Sequence, residues 1–96
     1  MRSKNDHSLG EVIREFIDSY RLTEKLNEVN IKANWEKITG TVIAKHTSKI
    51  YIHKRILFVK VDSAALRQEL SMARSMLMEA LNRGFDKPAI DDIVFK

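Results

Sequence analysis

Two short runs of alternating apolar residues meet at Lys54–Arg55. Ile50 and Ile52 alternate with Tyr51 and His53, and Leu57, Val59 and Val61 alternate with Phe58 and Lys60. A period of two sends successive side chains to opposite faces of an extended chain. The β-branched and aromatic content favours strands. The runs therefore read as a β-hairpin, Ile50–His53 and Ile56–Val61, closed by a Lys54–Arg55 turn. Most of the remaining chain has helical spacing, so any fold must be built around this one hairpin.

Before the hairpin, Ser8 and Glu11 have the spacing of a capping box, which predicts a helix from Leu9. Leu9, Val12, Ile13, Phe16, Ile17 and Tyr20 recur on one of its faces. Thr23 reads as a second N-cap, opening a helix that carries Leu26 and Val29. Asn30 is a point of breakage or bending, and Ile31, Trp35 and Ile38 share the next face. Gly40 is placed to end that helix as a left-handed residue, with one further turn over Val42–Ala44. After the hairpin, Asp62 or Ser63 is expected to cap one long helix running to about Asn82. Its stripe is Leu66, Leu70, Ala73, Leu77, Ala80 and Leu81, with Met72 and Met76 bordering the core and Met78 partly exposed. Gly84 is a stop signal, Phe85 is placed to pack back on the helix end, and Pro88 opens a short strand, Ile90–Phe95. A strand–helix–strand connection favours a parallel crossover. The expected fold is α+β, a three-stranded mixed sheet with helices on one face.

Ninety-six residues suit one domain. Residues 1–7 are polar and expected to form a disordered tail, leaving 8–96 as the domain. The sequence has no cysteine, which removes disulfides, thiol nucleophiles and thiolate zinc sites and suits a reducing cytoplasm. No run approaches the roughly 18 apolar residues of a membrane span, and the first residues lack the apolar stretch of a signal peptide. No membrane partner or cofactor is expected. His7, His46 and His53 lack ligand spacing, so no metal site is expected. No nucleophile has a base at a suitable spacing, there is no phosphate loop, and Asp91 and Asp92 would point to opposite faces of a strand. An enzyme is not expected.

The charge is more informative. The net +4 resides in Thr41–Val61, which holds Lys45, Lys49, Lys54, Arg55 and Lys60 and no acid, while acids and bases balance elsewhere to within one. A basic hairpin without acids fits a polyanion or an acidic protein surface. Lys45, Lys49, Lys54 and Arg55 are candidates for phosphate contact, against the alternative of a solvated turn guarded from edge pairing by lysine. Tyr51, His53, Phe58 and Lys60 share the face opposite Ile50, Ile52, Val59 and Val61. Aromatic and basic groups interleaved in this way can stack bases and hold the backbone of a single strand. The alternative is an ordinary half-exposed sheet face. Trp35 reads as a core residue, Gly40 as a helix terminator, and His46 as a structural imidazole at a bend.

One ordered series of residues resembles a known family. Trp35 and Gly40 give W-x-x-x-x-G. Ala44-Lys45-His46-Thr47, Leu57 through Ala64, Arg67-Gln68-Glu69-Leu70, Leu81-Asn82 and Ile90…Ile93-Val94-Phe95 follow. The series resembles the DciA family over roughly Leu9 to Phe95. The resemblance implies a KH-like α+β module that binds DNA, single-stranded or forked, and acts with the bacterial replicative DNA helicase as loader or regulator. It implies binding without catalysis. A KH domain grips nucleotides through a GXXG loop, and Gly10, Gly40 and Gly84 make no such motif. Longer members carry a further segment implicated in helicase contact, so a short form implies a reduced loading role. The competing expectation is a protein-interaction or homodimerisation module. Its hairpin would meet an acidic partner without nucleic acid, or its last strand would pair with another copy.

Overall fold

The structure, a computed structural model, describes residues 8–96, so the expectation for the first seven residues lies outside it. The first helix, α1, runs without interruption over Leu9–Thr39. Ser8 caps it, its hydroxyl accepting from the Glu11 backbone N–H at 3.2 Å. Thr23 does not start a new helix, contrary to the sequence reading, and of the two outcomes open at Asn30 the helix does not break there. Each costs only a few tenths of a kcal/mol inside a helix. Two new ends would strand four N–H and four C=O groups.

Gly40 ends α1 at φ 95° and ψ 166°, a backbone conformation essentially confined to glycine. A single turn, α2 (Thr41–Lys45), leads into β1 (Thr47–His53). Strand β2 (Ile56–Val61) pairs antiparallel with β1, placing Ile50 opposite Val59 and Tyr51 opposite Phe58. Lys54 and Arg55 both take positive φ, 50° and 65°, as a two-residue turn matched to strand twist requires.

The return to the sheet uses two helices where one was expected: α3 (Ala64–Met72), capped by Ser63 rather than Asp62, and α4 (Arg74–Asn82). The break falls at Ala73, with φ −98° and ψ 12°. It lets α3 lie on β2 and β3 while α4 packs on β3 and α1. The bend also changes the fate of the methionines. Met72 and Met76 are exposed, whereas Met78 packs against the core.

The final strand, β3 (Asp92–Phe95), is shorter than expected and lies parallel to β2, giving the order β1-β2-β3. Ile90 and Asp91 precede it as a tethered loop. The Asn82 side-chain oxygen accepts from the N–H groups of Ala89 (2.9 Å) and Ile90 (3.1 Å), while its amide donates to the Ile90 carbonyl. The domain is thus α+β, with a mixed three-stranded sheet. Leu57, Val59, Val61 and Ile93 are buried with Ile31 and Trp35 of α1 and Leu70, Leu77 and Leu81 of the crossover.

Only the second half of α1 joins this core. Glu28 accepts the Ile52 N–H at the outer edge of β1, and Trp35 donates to Thr47, so α1 runs antiparallel to β1. Tyr20, Thr23 and Glu24 reach the hairpin turn at Arg55. Residues before Tyr20 extend past it, and the molecule measures 58 × 23 × 19 Å. The stripe from Leu9 to Tyr20 is exposed, as are Leu22, Leu26 and Val29 on the other side of the helix.

Candidate nucleic-acid interface

The helices cover one face of the sheet and leave the other open. Alternation sends Lys49, Tyr51, Phe58 and Lys60 to the open face, and a bulge at the start of β1 sets Thr47 apart from them. Residues two apart on a strand normally share a face, yet Thr47 pairs with Val61 while Lys49 pairs with Lys60. Lys49, two residues before Tyr51 and in unbroken register with it, keeps to the open face, and the extra residue, Ser48, turns Thr47 inward instead. Inside, the Thr47 hydroxyl accepts from the Trp35 indole N–H at 3.0 Å and donates to the Ile43 carbonyl at 2.8 Å. One threonine therefore ties α1, α2 and β1 together, and Trp35 is 3% exposed.

On the open face, Tyr51 and Phe58 stand opposite each other and stack, with ring centroids 4.9 Å apart and planes 12° from parallel. The Lys49 ammonium lies 5.1 Å from the Tyr51 centroid. Lys96 lies 5.0 Å from the Phe58 centroid and donates to the Tyr51 hydroxyl at 3.2 Å. With Lys60 these residues line a shallow depression. Among the described residues no carboxylate pairs with Lys49, Lys60 or Lys96. Two lysines directly opposite on neighbouring strands repel, and an anion laid between them relieves that repulsion.

The other candidate residues are dispersed. Lys45 is exposed in the last turn of α2, and Lys54 and His53 are exposed at the hairpin end. His46 Nδ1 lies 2.7 Å from the Asp62 carboxylate, at the junction where Asp62 N–H also donates to the His46 carbonyl. Arg55 is committed elsewhere. Its guanidinium holds Asp91 through two bonds of 2.9 and 3.0 Å and donates to the Pro88 carbonyl at 2.8 Å. The bond to Asp91 raises the Arg55 pKa and lowers that of Asp91. Arg55 is a staple between the turn and the approach to β3, leaving Lys54 as the free cation of the turn. Lys96, by contrast, was not singled out in the sequence. The signal was its parity with Val94, which has meaning only once β3 is set beside β2.

Among the described residues no group of His, Asp and Glu is placed to hold a metal ion, and no helix is long and apolar enough to cross a membrane. What the fold and its surface define is a small α+β domain with one cationic, aromatic face. Comparison with protein families makes this specific: the chain belongs to the DciA family, described as Dna[CI] antecedent, whose model matches residues 8–95. Membership implies a role associated with loading of the replicative helicase, in a family of loaders or regulators and not of catalysts. No curated protein and no solved structure matches the chain.

Proposed function

We propose that this protein is a DNA-binding adaptor of the replicative helicase that takes single-stranded or forked nucleic acid on its open sheet face. The observation that carries the reading is the Tyr51–Phe58 stack ringed by Lys49, Lys60 and Lys96, none of them paired with a described carboxylate. Two lysines lie over the rings where bases would stack. An exposed cation–π contact is worth about 0.5–1 kcal/mol, and a base stacked on an aromatic ring about 1–3 kcal/mol. An incoming base therefore displaces a lysine at a gain, and the freed ammonium is left beside the phosphate that follows. Lys54 extends the cationic track toward the turn. Contact of this kind is electrostatic and weakly dependent on sequence, because stacking and lysine–phosphate pairs read no base edge.

The test is a fluorescence-anisotropy titration of a labelled single-stranded oligonucleotide at several salt concentrations. Three phosphate contacts on a single strand give a slope of log K against log salt of about −2. Lys49→Ala should flatten it by about 0.7. Tyr51→Ala should weaken binding by about 1–3 kcal/mol with the slope unchanged. Absence of saturable binding at low salt rejects the DNA assignment and turns the cationic face toward an acidic protein surface, and equal binding by a Lys49→Glu/Lys60→Glu variant rejects the sheet face as the DNA site.

A further inference from the structure

The half of α1 that passes the hairpin turn carries six large apolar side chains, Leu9, Val12, Ile13, Phe16, Ile17 and Tyr20, between 40% and 76% exposed. Their spacing continues the face on which Ile31, Trp35 and Ile38 meet the core. The same helical face is therefore covered at one end and bare at the other. A segment of about a dozen residues without tertiary contacts is only marginally helical in water, so this half of α1 calls for a partner.

The pattern of the stripe is one that a second copy of the chain can meet. The six positions are symmetric about the midpoint between Arg14 and Glu15: Leu9 mirrors Tyr20, Val12 mirrors Ile17, and Ile13 mirrors Phe16. The small residues Gly10 and Ser19 mirror each other as well. A stripe that reads the same in both directions is complementary to its own reverse, the condition for a two-fold interface in which one patch meets itself. We propose that the overhanging half of α1 binds a second copy of this chain as an antiparallel helix pair. Leu9 packs against Tyr20 of the second copy and Ile13 against Phe16 of the second copy, each layer occurring twice. The charged residues Glu11, Arg14, Glu15, Asp18 and Arg21 lie outside the stripe and stay in solvent. The length also fits, since the second copy's Leu9 reaches Tyr20, where the hairpin turn begins to occupy the helix. The apolar surface available is on the order of 600 Å² per copy, which places the pair at the small end of specific interfaces and makes it a micromolar, reversible dimer.

Sedimentation velocity across about 1–200 µM tests this, a range that brackets micromolar association. The parent should pass from monomer to dimer, gaining helical ellipticity as it does. Phe16→Glu should remain monomeric, with the folded domain unaffected because Phe16 is 71% exposed. Leu22→Glu, on the other side of the same helix, should dimerise like the parent. The orientation is read by disulfide formation in a chain that has no cysteine of its own. In Leu9→Cys/Tyr20→Cys the two positions of one chain lie about 16 Å apart along the helix, too far to bridge, so covalent dimer reports antiparallel contact between copies. A parent that stays monomeric throughout, a dimer that survives Phe16→Glu, or efficient cross-linking by Leu9→Cys alone overturns the proposal. A monomer whose stripe is protected only when helicase is added overturns it in favour of a foreign partner.

Discussion

Arg55 shows how one residue's setting redirects its chemistry. By composition it belongs with the lysines of the hairpin. In the fold its fork is filled by Asp91 and Pro88, and it sits at φ 65°, a conformation that a non-glycine residue holds only with outside support. Asp91 carries the pH dependence of this staple. Its pKa is lowered by the bond to Arg55. A depressed carboxylate pKa contributes stability that is present above the unfolded value and lost as pH falls through the folded one. With an unfolded Asp near 3.9, the contribution is intact at neutral pH, begins to fall below about pH 4 and is gone only below the depressed folded value. Asp91→Asn should accordingly melt lower than the parent at pH 7, and thermal melts from pH 7 to pH 3 should show the gap closing at the acid end. Both groups are exposed, so the difference is small. Arg55, already charged at every accessible pH, adds nothing to the pH profile when its pKa rises.

Elements whose identity rested on periodicity were legible in the sequence, and those whose extent rested on packing were not. The hairpin follows from strict alternation, and its second strand matches residue for residue. The single helix α1 and the divided crossover follow from tertiary contacts that no local pattern records. Thr23 has a cap's side chain but lies mid-helix, and no cap hydrogen bond involves it. This makes a clean test. Were Thr23 an N-cap, replacement by alanine would cost about 0.5–2 kcal/mol. In a continuous helix Thr23→Ala should instead stabilise by a few tenths of a kcal/mol through intrinsic propensity, measurable as a higher urea midpoint at unchanged slope. The candidate interface divides in the same way. That Tyr51, Phe58 and Lys60 share a face was legible from alternation alone. Lys49, two residues before Tyr51, belongs to the same alternation, whereas Thr47 turns inward only through the Ser48 bulge and Lys96 joins the face only through the register of β3 with β2. Neither the bulge nor a parallel register leaves a mark in a single sequence.

At the scale of the whole molecule, the two proposed surfaces are separate, and their separation has a functional consequence. Pairing antiparallel along Leu9–Tyr20 sets the two domains at opposite ends of the helix pair. Their hairpin turns are then roughly 20 Å apart along the axis, from the helical rise per residue. Each domain brings one cationic, aromatic face, so a dimer offers two sites to one strand. The second contact is then intramolecular, with an effective concentration in the millimolar range for a short flexible connection. An oligonucleotide of about 12 nucleotides, within the reach of one face, should bind parent and Phe16→Glu alike. One of about 40 nucleotides should bind the parent at least about tenfold more tightly, as two linked sites allow, and Phe16→Glu should remove that advantage while leaving the short-oligonucleotide affinity in place. The comparison separates the two proposals. Failure of the short oligonucleotide to bind removes the sheet face as a DNA site. If both oligonucleotides bind and neither depends on Phe16, the face stands and the pairing of α1 does not.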